Sequence, residues 1–376
     1  MYKKIGVLGG GQLGRMLIQE AINLDVELHC LENDDDAPCA KIAHGFKKGS
    51  ITDKQTVLDF GAAFDLITVE IENVSIEALY ELEALGKKVF PQPRVLELIK
   101  DKGLQKQFYA QHNIPTAPYM LLDVNSDAIP PFDFPFVQKL CVGGYDGKGV
   151  KIIRSKEDWD HRLVGPSVVE SLIPFEKELS VIVARNPTGE VSCFDAVECE
   201  FNSEANLVEF QFSPAAISKE IDAKAQEIAM NVISTLDMVG LLAVEFFLTE
   251  SAELLVNEIA PRPHNSGHHT IECCYTSQFA QHLRAILNLP LGDTRLIMPG
   301  AMLNILGSPG HEGPAVYEGL EDILSLDGVY PHLYGKTNTK PFRKMGHVTI
   351  LGDDLRVIKE KAEIVKNRLK CIASES

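Results

Sequence analysis

Two carboxylates set inside apolar runs are the first residues that call for chemistry. Residues 241–248 read Leu-Leu-Ala-Val-Glu-Phe-Phe-Leu with Glu245 as their one charge, and residues 254–260 read Leu-Leu-Val-Asn-Glu-Ile-Ala with Glu258 beside Asn257. Runs of this kind are strands, and residues 249–253 are short enough to join them as a hairpin. Two acids on adjacent buried strands repel and desolvate at high cost unless a cation sits between them. Mg²⁺ fits, because it takes one or two protein carboxylates and completes its shell with water and phosphate oxygens. The plainer alternative is a salt bridge to Lys or Arg, or a register that turns one acid to solvent. Two prolines end the second strand, and Arg262, His264, Asn265 and Ser266 crowd the entry to a helix near Gly267, where capping side chains and free N–H groups make an anion site. His264 and His268 have the spacing of a zinc couple, but Asn265-Ser266-Gly267 breaks the helix that would align them, so the anion reading is preferred.

Other stretches suit phosphate or sugar. Gly9-x-Gly11-x-x-Gly14 lies at a strand-to-helix turn, and Glu32 ends the next strand at the offset where dinucleotide enzymes keep a ribose-binding acid. The same glycines also suit close packing or any other phosphate. Glu70 and Glu72 lie at the carboxyl end of a strand over residues 66–70, as ligands or as a solvated capping cluster. Residues 143–149, Gly-Gly-Tyr-Asp-Gly-Lys-Gly, stand between strands at 136–140 and 150–153. They describe either a flexible lid whose N–H groups wrap phosphates beside Lys139, or an ordinary mobile turn. The stretch lacks the Lys-Ser/Thr ending and the helix of a Walker A loop. A strand at 167–173 stops at Pro174 and leads to Glu178; there backbone groups would read a purine and the acid its ribose, unless Glu178 is a rim glutamate. Lys336, Lys340, Arg343 and Lys344 put four basic residues within nine, in a chain of net charge −17. A charge run is usually just solvated, but these residues lie between two strands, where an anionic substrate would be met.

The elements that position these residues follow from pattern. Strands alternating with helices over the first ninety or so residues predict a parallel doubly wound sheet, with ligand loops at its carboxyl edge. A helix is expected over 94–112, a domain boundary near Pro115 and Pro118, helices over 218–238 and from 267 to about 288, strands at 300–306 and 330–334, and a last helix over 355–372. With 45% hydrophobic residues in 376, the chain can bury two or three cores. The acidic balance argues against a nucleic-acid partner. No apolar run reaches membrane-span length and the chain starts directly in a strand, so a cytoplasmic protein is expected. The eight cysteines form no Cys-x-x-Cys pair and read as reduced core thiols.

Six segments taken in order resemble the ATP-grasp superfamily and, within it, the 5-(carboxyamino)imidazole ribonucleotide synthetases. They are Gly-Gly-Gly-Gln-Leu-Gly-Arg-Met (9–16), Thr-Val-Glu-Ile-Glu-Asn-Val (68–74), Gly-Gly-Tyr-Asp-Gly-Lys-Gly (143–149), Asn-Glu-Ile-Ala-Pro-Arg-Pro-His-Asn-Ser-Gly-His (257–268), Ser-Gln-Phe-Ala-Gln-His-Leu-Arg-Ala-Ile (277–286) and Arg-Lys-Met-Gly-His (343–347). The resemblance spans essentially the whole chain. It implies a mixed α/β and α+β ATP-grasp fold: a Rossmann-like domain over 1–112, an ATP-grasp domain over 113–294 with its lid part at about 113–175, and a small C-terminal domain over 295–376. It implies ATP and Mg²⁺, a homodimer, and carboxylation of 5-aminoimidazole ribonucleotide by bicarbonate through carboxyphosphate, in purine biosynthesis. Carried over by position, Lys102 and Lys139 touch ATP phosphates, Gly144, Tyr145, Asp146, Gly147, Lys148, Gly149 and Val150 form the lid, and Glu170, Ser171, Leu172 and Ile173 the adenine hinge. Glu178 takes the ribose, Asn257 lies against ATP, and Glu245 and Glu258 hold the metal. Asp146, Lys336 and Arg343 serve the carboxylation, and Gly11, Gln12, Leu13, Glu72, Arg262, Asn265 and Ser266 join Lys336 and Arg343 around the ribonucleotide. The chain departs from the pattern at Lys102, where relatives often carry Arg, and at Ala260, which replaces an Asn that elsewhere in the superfamily ligates metal. Competing readings are another ATP-grasp ligase such as a formate-dependent glycinamide ribonucleotide transformylase, a nicotinamide-dependent oxidoreductase built on the glycine turn, and a non-catalytic nucleotide sensor.

Overall fold

The computed structural model describes residues 2–123, 129–143, 149–202 and 207–374. Ile5, Val7 and Leu8 are fully buried, as expected of a strand covered on both faces, and the strand Lys4–Leu8 is the centre of a parallel sheet. Its order is Gly45–Lys48, Glu27–Glu32, Lys4–Leu8, Leu66–Val69, Lys88–Val89. The helix Gln12–Asn23 packs on one face, and Lys54–Gly61 and Ile76–Ala84 on the other. Gly9 turns the chain from strand to helix at φ +109°, a conformation that disfavours any side chain.

A nine-stranded antiparallel sheet forms the body of the molecule. It runs Leu254–Ala260, Gly240–Thr249, Phe175–Arg185, Val197–Asn202, Leu207–Ser213, Gly300–Leu306, Lys344–Leu351, Val329–Leu333, with Val191–Cys193 paired to Phe175–Arg185. The pleat explains how Glu245 sits in so apolar a strand. Val244, Phe246 and Leu248 point into a core shared with the helices Pro93–Lys100, Lys102–Gln111 and Lys219–Thr235, whereas Glu245 and Phe247 point the other way. Burying a side chain such as Val244 or Phe246 contributes about 2 kcal/mol, enough to fix the register that turns Glu245 to the cleft. The four-stranded leaf that faces this cleft runs Tyr119–Leu122, Ser167–Ser171, Phe136–Leu140, Val150–Ile153.

The helix expected over 94–112 is two helices. Asp101 leaves helical geometry (φ −113°, ψ 111°) and its carboxylate caps the second by accepting from the N–H groups of Gly103 (2.7 Å) and Leu104 (3.1 Å). The helix expected from 267 to 288 is likewise broken into Asn265–Gly267, Thr270–Cys273 and Gln278–Ile286. At the C-terminus the last helix stops at Arg368, and Lys370–Ala373 joins Gly313–Glu318 and Asn338–Thr339 in a three-stranded sheet. The large sheet continues across residue 295, since Leu207–Ser213 pairs directly with Gly300–Leu306. Among the described residues no helix is long and apolar enough to cross a membrane.

Candidate active site

Glu245 and Glu258 are direct cross-strand partners. A bulge after Glu245 gives the facing strand one extra residue, so Asn257 and Glu258 are both left partly open instead of alternating. Asn257 Oδ1 accepts from Lys139 Nζ (2.9 Å), and Lys102 Nζ donates to Glu258 Oε2 (2.6 Å). The Lys102 ammonium holds the Glu258 carboxyl well below its usual range against the effect of burial. Glu245 has no Lys or Arg at salt-bridge distance among the described residues, and burial followed by the charge of Glu258 pushes it up. Two facing carboxylates with unequal proton affinity and oxygen-only donors suit a hard divalent cation. The two histidines of the zinc spacing are engaged separately, His264 Nδ1 with the Ser266 hydroxyl (2.8 Å) and His268 Nδ1 with the Gln278 amide (3.1 Å). His264 instead lies 3.6 Å from Glu245, and burial, aided by the charge of Arg262, pushes its pKa down to about 3 and keeps the ring neutral.

Behind the lysines sits a second acid. Glu170, next to last in the strand Ser167–Ser171, has its carboxylate turned inward, 3% exposed, paired to Lys106 at 2.8 Å and to Lys139. Burial alone would raise its pKa; the two ammonium groups outweigh burial and keep it low. From here the chain passes Ser171, Leu172 and Ile173 to Phe175, whose ring stacks on Phe247 at 4.7 Å, beside the Glu178 and Phe247 register pair. A cavity of about 580 Å³ opens here between Thr116, Pro118, Ile173, Pro174 and the hairpin at Thr249 and Glu253, with Leu255 also lining it. That volume is in the range of small-ligand sites. Burial pushes Glu178 up to about 7.

The turn after Glu258 is held by its own side chains. Gln278 clamps His264 through both backbone groups, accepting from N–H (2.9 Å) and donating to C=O (2.7 Å). A Cβ on Gly267 would lie 2.4 Å from Gln278 Oε1, so any side chain there would push the Gln278 amide out of this clamp. The Ser266 hydroxyl is buried against Ser180 (2.7 Å) and His264 (2.8 Å), and Asn265 exchanges two amide bonds with Asn304 (2.9 and 3.0 Å). Both side chains thus already have protein partners. Arg262 pairs with Glu72 at 2.8 Å and ties this turn to the parallel sheet.

The glycine turn differs from a dinucleotide site. The Glu70 carboxylate accepts from the N–H groups of Gly11 and Gly14, and Glu32 accepts from Gly10 N–H (3.1 Å). A pyrophosphate would need those same donors. Gly11 and Gln12 remain partly open at the helix entry, while Leu13 is buried in the core.

Within the basic cluster, the charge of Lys344 reaches the carboxylate pair, where it favours ionised Glu245 and neutral His264. Lys336 Nζ donates to the Lys344 carbonyl (2.6 Å) and lies over the Tyr334 ring, and Arg343 Nη1 donates to the Asn338 carbonyl (2.6 Å). Gly144, Tyr145, Asp146, Gly147 and Lys148 lie outside the described residues; Gly149 and Val150 open the returning lid strand. Sequence reasoning assigned no role to Lys106, Phe247 or Gln278, and it gave Lys344 only a share in the basic cluster that would meet an anionic substrate.

A two-part clamp with paired carboxylates and lysines at its base defines an ATP-grasp enzyme, and the ATP-grasp domain matches residues 107–279. The ribonucleotide synthetase preATP-grasp domain matches residues 2–100, and the phosphoribosylaminoimidazole carboxylase C-terminal domain residues 300–361. The chain is 38% identical over 356 residues to the N5-carboxyaminoimidazole ribonucleotide synthase of Bacillus subtilis, covering 92% of this chain and 91% of that one. Among solved structures, the synthetase from Thermotoga maritima is similar at TM-score 0.92 and 40% identity, covering 99% of this chain and all of that one (100%). The Aspergillus clavatus enzyme in complex with ADP and 5-aminoimidazole ribonucleotide is similar at TM-score 0.88 and 31% identity, covering 97% and 98%. The chain belongs to the N5-carboxyaminoimidazole ribonucleotide synthase family, whose members are ATP-grasp ligases.

Proposed function

We propose that this chain carboxylates the amine of 5-aminoimidazole ribonucleotide with bicarbonate, converting ATP to ADP and phosphate, as a step of purine biosynthesis. The observation that carries the reading is the Glu245 and Glu258 register pair with Lys102 against one acid and the charge of Lys344 directed at the other. Glu245 and Glu258 would hold Mg²⁺, which when bound neutralises phosphate charge and aligns the triphosphate. Lys102 and Lys139 would leave their carboxylate and amide partners for the phosphates. Backbone groups at Ser171 to Ile173 would meet the purine, Phe247 its face, and Glu178 the ribose.

Transfer of the terminal phosphoryl group to bicarbonate gives carboxyphosphate; attack of the substrate amine on its carboxyl carbon, or on CO₂ released from it, forms the N–C bond and frees phosphate. No protein nucleophile is required, so catalysis is positioning and charge stabilisation. Gly11, Gln12, Glu72, Arg262, Lys336 and Arg343 would surround the ribonucleotide, and Asp146 would act from the lid. The protein is proposed to work in the cytoplasm as a homodimer, testable by light scattering. Phosphate release from ATP and bicarbonate tests the activity: it is expected to rise on adding 5-aminoimidazole ribonucleotide, with carboxylated product formed, and release that ignores this amine would reject the assignment.

A further inference from the structure

We propose that Lys106 is a positioning residue for nucleotide binding: it keeps Glu170 neutralised so that Lys139 is free to leave that carboxylate for the phosphates of ATP. The proposal rests on the clamp reading above. Lys106 lies one helical turn beyond Lys102 on Lys102–Gln111, yet the two side chains serve different surroundings. Lys102 is 21% exposed and reaches across to Glu258, whereas Lys106 is 5% exposed and stays inside. Its ammonium donates to Thr116 Oγ1 (2.6 Å), pairs with Glu170 Oε2 (2.8 Å) and lies near the Tyr119 ring, and Thr116 in turn donates to the Val256 carbonyl (2.7 Å). Lys106 is thus tied to the strand just before Asn257 and Glu258 and is held there by Thr116 and Glu170.

Glu170 therefore has one fixed cation and one movable one. Lys106 and Lys139 hold its two oxygens, and Lys139 also reaches Asn257. If Lys139 moves to a phosphate oxygen, Glu170 stays 3% exposed, and a buried carboxylate left alone is strongly unfavourable. With Lys106 in place the carboxylate still has a partner, so Lys139 can exchange. Without it, Lys139 is the one cation still paired with Glu170 among the described residues, and ATP must compete for it.

A double-mutant cycle on ATP affinity tests this. Lys106→Met is expected to raise ATP KM and Kd about 10- to 100-fold, with kcat at saturating ATP within about threefold. In the Glu170→Gln background, where no carboxylate needs a partner, the same substitution is expected to change ATP affinity less than about threefold. Lys106→Arg, which keeps the charge, is expected to restore most of the affinity. If Lys106→Met does not fold, Lys106→Gln, which retains a donor to Thr116, carries the same cycle. An unchanged ATP affinity overturns the proposal, and so does an equal loss in both backgrounds, which is what a purely structural lysine would give. Lys139→Met and Glu258→Gln in the same assay separate the two levels. If neither loses turnover the clamp reading itself fails, whereas their loss beside an unaffected Lys106→Met defeats only the role given to Lys106.

Discussion

The glycine turn of the parallel sheet and the lysine clamp of the large sheet are both built to hold an anion, and they differ in who supplies it. At the turn the anion is part of the chain. Glu70 is buried and takes two backbone N–H groups, and a Cβ on Gly11 would lie 2.7 Å from its Oε1. Burial raises the Glu70 pKa, and the Gly14 and Gly11 donors only partly offset that rise. At the clamp, on the function proposed above, the anions are exchangeable: Lys102 and Lys139 rest on Glu258, Asn257 and Glu170, and Glu170 keeps Lys106 as a second cation. A fixed carboxylate makes a scaffold; an exchangeable one makes a binding site. The sequence pattern of glycines with acids is the same in either case.

The comparison breaks most visibly at the metal pair. Glu258→Gln is expected to lower ATP turnover by about 10³-fold or more while the melting temperature stays near wild type, read by phosphate release and calorimetry; turnover at the wild-type rate would remove the metal assignment. Asp146→Ala should cost about 10²-fold in carboxylated product with the fold intact. Unchanged product would end its proposed role. Glu70→Gln sharpens the contrast from the other side. Losing the charged acceptor at Gly11 and Gly14 should cost about 1–3 kcal/mol of stability and raise the KM for the ribonucleotide, while ATP KM is unaffected. Titration calorimetry with NAD should give no heat for the wild type, because Glu70 and Glu32 already hold the donors; a clear binding isotherm would show that the turn is not closed.

The smallest effect concerns Glu178. The folded form keeps a proton up to about 7 where the ordinary carboxyl loses it near 4.5. This group therefore favours the nucleotide-free fold below about 4.5, and that contribution is lost as pH rises towards 7. Ribose hydroxyls donate to the ionised form, so ATP KM should fall up to about tenfold between pH 6 and pH 8, and Glu178→Gln should flatten the profile. A profile of unchanged slope in the variant would assign the titration elsewhere.

What could be read from the chain beforehand was whatever obeyed a period. The isolated Glu245 in an apolar strand was legible as an inward-facing acid because its neighbours Val244 and Phe246 had to be core. Glu258 was legible as its partner, but the bulge that also leaves Asn257 open was not, because nothing local announces an extra residue. Lys106 looked like any helical lysine; its burial depends on Glu170, 64 residues away in sequence by simple subtraction. The break at Asp101 was readable in principle, since Asp followed by Lys-Gly is a cap signal, but the amphipathic pattern ran on through it. The strand Gly313–Glu318 and its small sheet went unseen because so short a strand depends on distant partners, here Asn338–Thr339 and Lys370–Ala373.

The unbroken large sheet has a consequence for how such a protein can be cut. Phe210 and Phe212 on one side of the seam and Leu303 and Ala301 on the other are ladder neighbours, and all four share one core. A fragment ending before residue 300 would bare the rim of Leu207–Ser213 as an adhesive template for sister chains. Exchanging the tail for that of a relative would tear a rigid slab instead of swapping a module. Changes of acceptor preference are therefore more safely sought by single replacements on the Lys344–Leu351 strand than by grafting the tail.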